Sequence, residues 1–210
     1  MSQDKKGKEI SKAINRLRKK MYKPSVVSAS GLEYLEGAMA QDYYYDMSIA
    51  QIYARLNRMI MGHFIVEDFF KLLPGQCEFI ESVHNYINFE DGIIRKGAIS
   101  AHKNEKVIIP LNMADGVIIG VGKGNEDWNN SAPHGAGRLM SRGKARATIS
   151  LDDFKSVMKE SGVWSSCIGR STLDESPQAY KKADTIVEYL KDTVDVQHRM
   201  KPVYNFKATN

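Results

Sequence analysis

Four neighbouring runs decide the fold class: Phe-Ile-Glu-Ser-Val-His-Asn-Tyr-Ile at 79–87, Gly-Ile-Ile-Arg-Lys-Gly-Ala-Ile-Ser-Ala at 92–101, Lys-Val-Ile-Ile-Pro at 106–110 and Gly-Val-Ile-Ile-Gly-Val at 116–121. Each is short, rich in β-branched residues and bounded by Gly, Asn or Asp, so each reads as a short strand. Helical periods surround this block. Towards the N-terminus, residues 47–73 place Ile49, Ile52, Tyr53, Leu56, Ile60 and Phe64 on one helix face, and Pro74-Gly75 stops the pattern. Further out, Ile10, Ile14, Leu17 and Met21 recur at helical spacing within a basic arm, residues 1–23, and Pro24 with the Ser-rich stretch to Gly31 forms a linker. Towards the C-terminus, residues 135–149 and 151–158 read as helices, the second with Ser150 as N-cap and Asp152 and Asp153 in its first turn. Residues 177–196 read as a last long helix and 202–206 as a closing strand. Helices enclosing mixed short strands, without regular βαβ alternation, predict an α+β fold: a basic helical arm at 1–23 and a body of helices and short strands at 24–210.

The 210 residues are 42% hydrophobic and 26% charged, the balance of a folded chain rather than a disordered one. No apolar run approaches the roughly 20 residues that cross a bilayer. The lysine-rich start lacks the apolar core of a secretory signal, and two distant cysteines, Cys77 and Cys167, suit a reducing compartment, so cytoplasm is the expected location. Charge is uneven. Residues 1–23 hold nine Lys or Arg against Asp4 and Glu9, a balance of +7, while the other 187 residues hold 21 basic against 23 acidic, −2. A basic arm on a near-neutral body permits nucleic-acid or phosphate binding and equally serves as a solvated, solubilising helix face.

Among five histidines, His63 sits near an apolar helix face, and His102 and His198 have polar neighbours. His84 and His134 lie at junctions. His134 is followed by Gly135, Ala136 and Gly137, which let the backbone approach a ligand, and then by Arg138, Arg142 and Arg146 at helical spacing. If a helix opens there, its free N–H groups and three guanidiniums would receive an anion beside the imidazole. The same run reads as a Gly-rich turn opening an exposed basic helix. His84-Asn85 sets an imidazole beside a carboxamide, a weak metal and phosphate signal without further ligands at conventional spacing. Gly122-Lys-Gly-Asn-Glu126 matches neither a Walker loop nor a dinucleotide fingerprint.

Taken together, Ala50-Gln51, Leu56-Asn-Arg58, His84-Asn-Tyr86, Arg95-Lys-Gly-Ala98, Gly122-Lys-Gly-Asn-Glu126, His134-Gly-Ala-Gly-Arg138, Met140-Ser-Arg142, residues 177–181 and Lys201-Pro-Val-Tyr-Asn-Phe-Lys207 resemble the RtcB family of RNA-splicing ligases. The resemblance runs from about Gly7 to the C-terminus. It implies a GTP-dependent enzyme that joins an RNA 3′-phosphate or 2′,3′-cyclic phosphate to a 5′-hydroxyl. His134 aligns with the nucleophile that takes GMP from GTP through a phosphorus–nitrogen bond, and His84 aligns with a manganese (Mn2+) ligand. Asn85, Pro110, Leu111, Asn112, Met113, Gly135, Ala136, Gly137 and Lys207 align with nucleotide contacts. Lys96, Arg138 and Arg142 are candidates for RNA phosphates.

Two departures qualify the resemblance. Many members read Pro-Gly-Ser-Met-Gly where this chain has Pro110-Leu-Asn-Met-Ala114, and Val117 replaces a serine. Members are also about twice as long, and the half without a counterpart here carries an Asp, a Cys and two His of the metal site. The resemblance therefore implies the C-terminal half of such a fold, incomplete on its N-terminal side and needing a complementary half. The alternative is a non-catalytic RNA-binding or interaction module derived from such a ligase.

Overall fold

The computed structural model describes residues 34–207 and six helical positions of the arm: Glu9, Lys12, Ala13, Arg16, Leu17 and Lys20. Most of the expected apolar stripe of the arm, the linker and the boundary at residue 23 lie outside the described residues. The chain divides into two compact units, residues 1–77 and 78–210.

In the first unit the dominant element is α1, Gly37–Phe64, which runs on through a wider turn at Ile65–Phe69. The helix starts ten residues earlier than its apolar period suggested and ends earlier too. None of its residues is buried. Tyr45, Ile49, Ile52, Leu56 and Ile60, spaced by three and four, and Tyr53 beside them are all at least half exposed.

The second unit holds the strands. β1 (Asn85–Ile87) and β2 (Ile94–Lys96) form one antiparallel ladder, and β3 (Ala98–Ser100) pairs antiparallel with β6 (Ser131–Pro133). β4 (Lys106–Pro110), β5 (Val117–Gly122) and β8 (Val194–Met200) make a three-stranded antiparallel sheet, and β7 (Trp164–Ser165) runs parallel to β9 (Tyr204–Asn205). The helices are α2 (Arg142–Thr148), α3 (Leu151–Ser161) and α4 (Ala183–Leu190). The arrangement is α+β, as expected.

Two hydrophobic cores hold this unit. In β4 the period of two buries Val107 and Ile109, which pack with Ile99, Ile118, Ile186, Leu190 and Val194. In α3 the spacing of four buries Phe154 and Met158 against Met113, Val163 and Leu173. Full burial of such side chains stabilises by about 1.5–3 kcal/mol each. The loop after β4 joins the two cores, since Leu111 belongs to the first and Met113 to the second.

Two expected helices are corrected. Residues 135–149 are helical only from Arg142, because Gly137 adopts a left-handed φ of 67° and the chain at 135–141 bonds to distant segments instead. Residues 177–196 break into a short 3-10 turn at Pro177–Ala179, then α4, then the start of β8. Val194-Asp-Val196 alternates with a period of two and pairs with β5, which outweighs the helical reading.

Candidate active site

Gly97, between β2 and β3, organises the site. It adopts φ +72°, a left-handed conformation open to glycine at little cost. Its N–H donates to the His84 carbonyl at 2.7 Å and to Asn85 Oδ1 at 3.1 Å. Its own carbonyl faces His134 Nδ1 at 2.5 Å. A carbonyl only accepts, so Nδ1 carries the proton, and in the neutral ring Nε2 keeps its lone pair. The His84 and His134 rings stack with centroids 4.8 Å apart. One glycine thus gathers His84, Asn85 and His134.

His134 lines a cleft of about 650 Å³. On one wall Gly135 packs against β4: a Cβ there would lie 2.8 Å from the Pro110 carbonyl oxygen, and the Ala136 N–H donates to that same oxygen at 3.3 Å. Pro110, Leu111, Asn112 and Met113 border the cleft. The Leu111 and Met113 side chains are buried in the cores. Asn112 Oδ1 accepts from the N–H groups of Ala114 and Asp115, which locks the turn.

The cleft is also lined by a network of charges around Glu175. Arg138 donates to Glu175 Oε1 at 3.0 Å, to the Tyr180 hydroxyl at 2.8 Å and to the Asp174 carbonyl at 2.6 Å, with its guanidinium 4.7 Å from the Tyr180 ring centre. Tyr180 donates to Glu175 Oε2 at 2.9 Å, and Lys207 Nζ lies 3.4 Å from the same oxygen. Burial, and then the Glu175 carboxylate, push Tyr180 up to about 12. Arg146 donates to Asp174 at 3.0 Å, while Arg142 stands 3.9 Å from both carboxylates and is the most exposed of the three arginines. Burial alone would raise Asp174, but Arg146 and Arg142 outweigh it and hold the carboxyl below its usual range. Arg138, Arg142, Arg146 and Lys207 thus meet two carboxylates, which leaves the wall net positive and suited to an anion.

The structure corrects the expected basic track. Arg138 precedes α2 rather than belonging to it, so the three guanidiniums do not share one helix face, and no helix opens beside His134. Ser141 is instead the N-cap of α2, its Oγ accepting from the Lys144 N–H at 3.2 Å. Lys96, on β2, does not line this cleft but a second one. His84, Asn85 and His134 come together, as do Pro110 to Met113, Gly135 to Gly137, Arg138, Arg142 and Lys207.

The sequence assigns no role to Glu175 or Cys167, nor to Gly97 and Tyr180, although these two lie within the quoted segments 95–98 and 177–181. Cys167 Sγ accepts from the Lys207 N–H at 3.2 Å and donates to its carbonyl at 3.0 Å, which pins Lys207 at the cleft. Hydrogen bonds with Ser166 and with the Lys207 backbone hold the thiol below its usual range. No local pattern announces these roles, since each residue has at least one partner 37 or more residues away in sequence.

For a metal, the described residues supply His84 as a single donor beside His134. Among them no three His, Cys, Asp or Glu side chains gather as a metal centre requires, so they do not fit a manganese site on their own. For a group carrying phosphates the cleft offers more: a glycine-lined wall and an excess of cations.

The family model described as tRNA-splicing ligase RtcB matches residues 5–208. The chain is 31% identical over 192 residues to the RNA-splicing ligase RtcB of Escherichia coli K12, covering 85% of this chain and 45% of that protein. To the tRNA-splicing ligase RtcB of Archaeoglobus fulgidus it is 30% identical over 191 residues, covering 76% of this chain and 38% of that protein. The tRNA-splicing ligase RtcB of Nanoarchaeum equitans is 31% identical over 180 residues, with shares of 70% and 38%. The chain spans less than half the length of these curated relatives. Pro110 to Met113, His134 to Arg138, Arg142 and Lys207 border one cleft, and the family match runs almost from end to end: the chain belongs to the RtcB family.

Proposed function

We propose that this chain is the nucleophile-bearing half of an RNA ligase, which joins an RNA 3′-phosphate or 2′,3′-cyclic phosphate end to a 5′-hydroxyl and uses GTP. The observation that carries the reading is the bond from His134 Nδ1–H to the Gly97 carbonyl, which leaves Nε2 as the nucleophilic nitrogen at the cleft. Nε2 attacks the α-phosphorus of GTP, a phosphorus–nitrogen bond forms, the α–β bridging bond breaks and pyrophosphate leaves. The ring then carries positive charge, which the Gly97 carbonyl offsets through Nδ1–H. An oxygen of the RNA 3′-phosphate displaces the imidazole from that phosphorus. The 5′-hydroxyl next attacks the activated 3′-phosphate, a phosphodiester forms and GMP departs. A cyclic phosphate first opens to the 3′-phosphate by hydrolysis.

The net positive wall formed by Arg138, Arg142 and Lys207 supports the binding of phosphates. A complementary polypeptide supplies the remaining metal ligands, and manganese would be held by His84 together with them. One observation supports such a partner: α1 exposes Tyr45, Ile49, Ile52, Leu56 and Ile60 at helical spacing. The test is sealing of an RNA with 3′-phosphate and 5′-hydroxyl ends by this chain mixed with the portion of the E. coli relative it does not match. Sealing abolished by His134→Ala supports the reading. RNA binding without sealing in any mixture supports a non-catalytic module instead.

A further inference from the structure

A second cleft, of about 480 Å³, lies along β6 on the approach to His134, since Ser131, Ala132 and Pro133 border it and His134 follows directly. Its walls include Trp128 and Tyr189, which are 58% and 71% exposed. Neither ring serves a core. Tyr189 projects from α4, whose buried residues are Ala183, Ile186 and Leu190. Trp128 ends a short 3-10 turn followed by two left-handed asparagines, Asn129 at φ 50° and Asn130 at φ 46°.

The loop that presents Trp128 is nonetheless held firmly. Arg95, with its side chain 1% exposed, donates to the carbonyls of Asn129 and Asn130 at 3.2 and 3.4 Å and to Ser131 Oγ at 2.9 Å. Asn125 Nδ2 donates to the Asp192 carbonyl at 2.9 Å, tying the loop to the turn after Tyr189. An exposed aromatic fixed by a buried arginine is a preorganised contact, and preorganisation lowers the ordering cost of binding. The charged groups at the cleft are Arg95, whose guanidinium is fully engaged, Lys96 and Asp192.

We propose that this cleft is a base-stacking subsite for single-stranded nucleic acid, with Trp128 and Tyr189 as the platform and Lys96 meeting a phosphate. Flat aromatic rings beside a cation suit unpaired bases, which stack without sequence preference. The strand that leaves the subsite follows β6 to His134. The inference rests on the ligase reading for its choice of occupant, and its test does not depend on GTP.

The experiment is fluorescence anisotropy of a labelled 12-nucleotide RNA with the full chain at about 50 mM salt, where backbone contacts are strongest. Trp128→Ala and Tyr189→Ala should each weaken binding at least about fivefold, while Trp128→Phe keeps most of it. A duplex of the same sequence should bind without responding to either substitution. Unchanged affinity in both alanine variants, an equal effect on the duplex, or no binding of the RNA by the wild-type chain would overturn the subsite. Circular dichroism reports whether the variants fold. Should Trp128→Ala unfold, a Trp164→Phe chain leaves Trp128 as the single tryptophan, and quenching of its emission by the RNA decides the matter, with no quenching counting against the subsite. Labelling of His134 by GTP is measured separately with the complementary polypeptide present, so loss of stacking and loss of the ligase reading are distinguishable.

Discussion

At His134 a backbone carbonyl fixes the tautomer, a task that carboxylates perform in many acid–base sites. The geometry depends on two glycines of different kinds. Gly97 supplies a left-handed turn, whereas Gly135 supplies room, because a Cβ there would press on the Pro110 carbonyl at 2.8 Å. Gly135→Ala should shift the loop relative to β4, destabilise the fold by about 1–3 kcal/mol in urea denaturation and lower guanylylation at His134 more than tenfold. Asp91 gives a pH prediction. Burial alone would raise its carboxyl, but hydrogen bonds from Arg95, the Ile93 N–H and His102 outweigh that and hold it at about 2. Since this lies below the ordinary 3.8, the pairing stabilises the fold fully above about pH 4 and is lost as pH falls through about 2, a change of roughly 2 kcal/mol. Asp91→Asn leaves the buried Arg95 without its counter-charge and should cost about 3 kcal/mol near pH 7. Urea denaturation at pH 7 and near pH 2 should show the gap between the two proteins narrowing in acid.

Among the elements, α3 is the one most open to reading in advance. Its cap, acidic first turn and Phe154–Met158 spacing are all local, and Ser150 Oγ does accept from the Asp153 N–H at 3.0 Å. Ser150→Ala should cost about 1 kcal/mol in thermal unfolding, with no change in GTP labelling, since α3 faces a core rather than the cleft. β4 was equally legible because a short β-branched run bounded by turn residues defines it. Residues 92–101 were not, because β2 and β3 turn at Gly97 towards different partners, β1 and β6. The stretch after His134 read as helix, yet its N–H and C=O groups bond to Pro110, Ala179 and Lys181. Glu175 was invisible for the same reason: its meaning comes from Arg138, Tyr180 and Lys207, which only the tertiary fold brings together. The motifs located the site, and long-range contacts gave it chemistry.

At the scale of the whole molecule, the chain carries the His134 loop proposed as nucleophile and, among the described residues, one candidate metal donor. The isolated chain should bind manganese no more tightly than about millimolar, since a single imidazole is a weak site and divalent manganese stands low in the affinity series. Calorimetry checks this, and affinity should rise sharply when a complementary polypeptide is added, a gain that His84→Ala removes. No described helix is long and apolar enough to cross a membrane. The measurement closest to the central claim is the covalent adduct itself. The chain is incubated with α-labelled GTP and manganese, with and without the portion of the E. coli relative it does not match, and the modified peptide is identified by mass spectrometry. The expected result is GMP on His134, acid-labile as a phosphorus–nitrogen bond is, formed only with the complementary polypeptide and absent in His134→Asn. An adduct on any other residue, or no adduct in a mixture that seals RNA, would contradict the account.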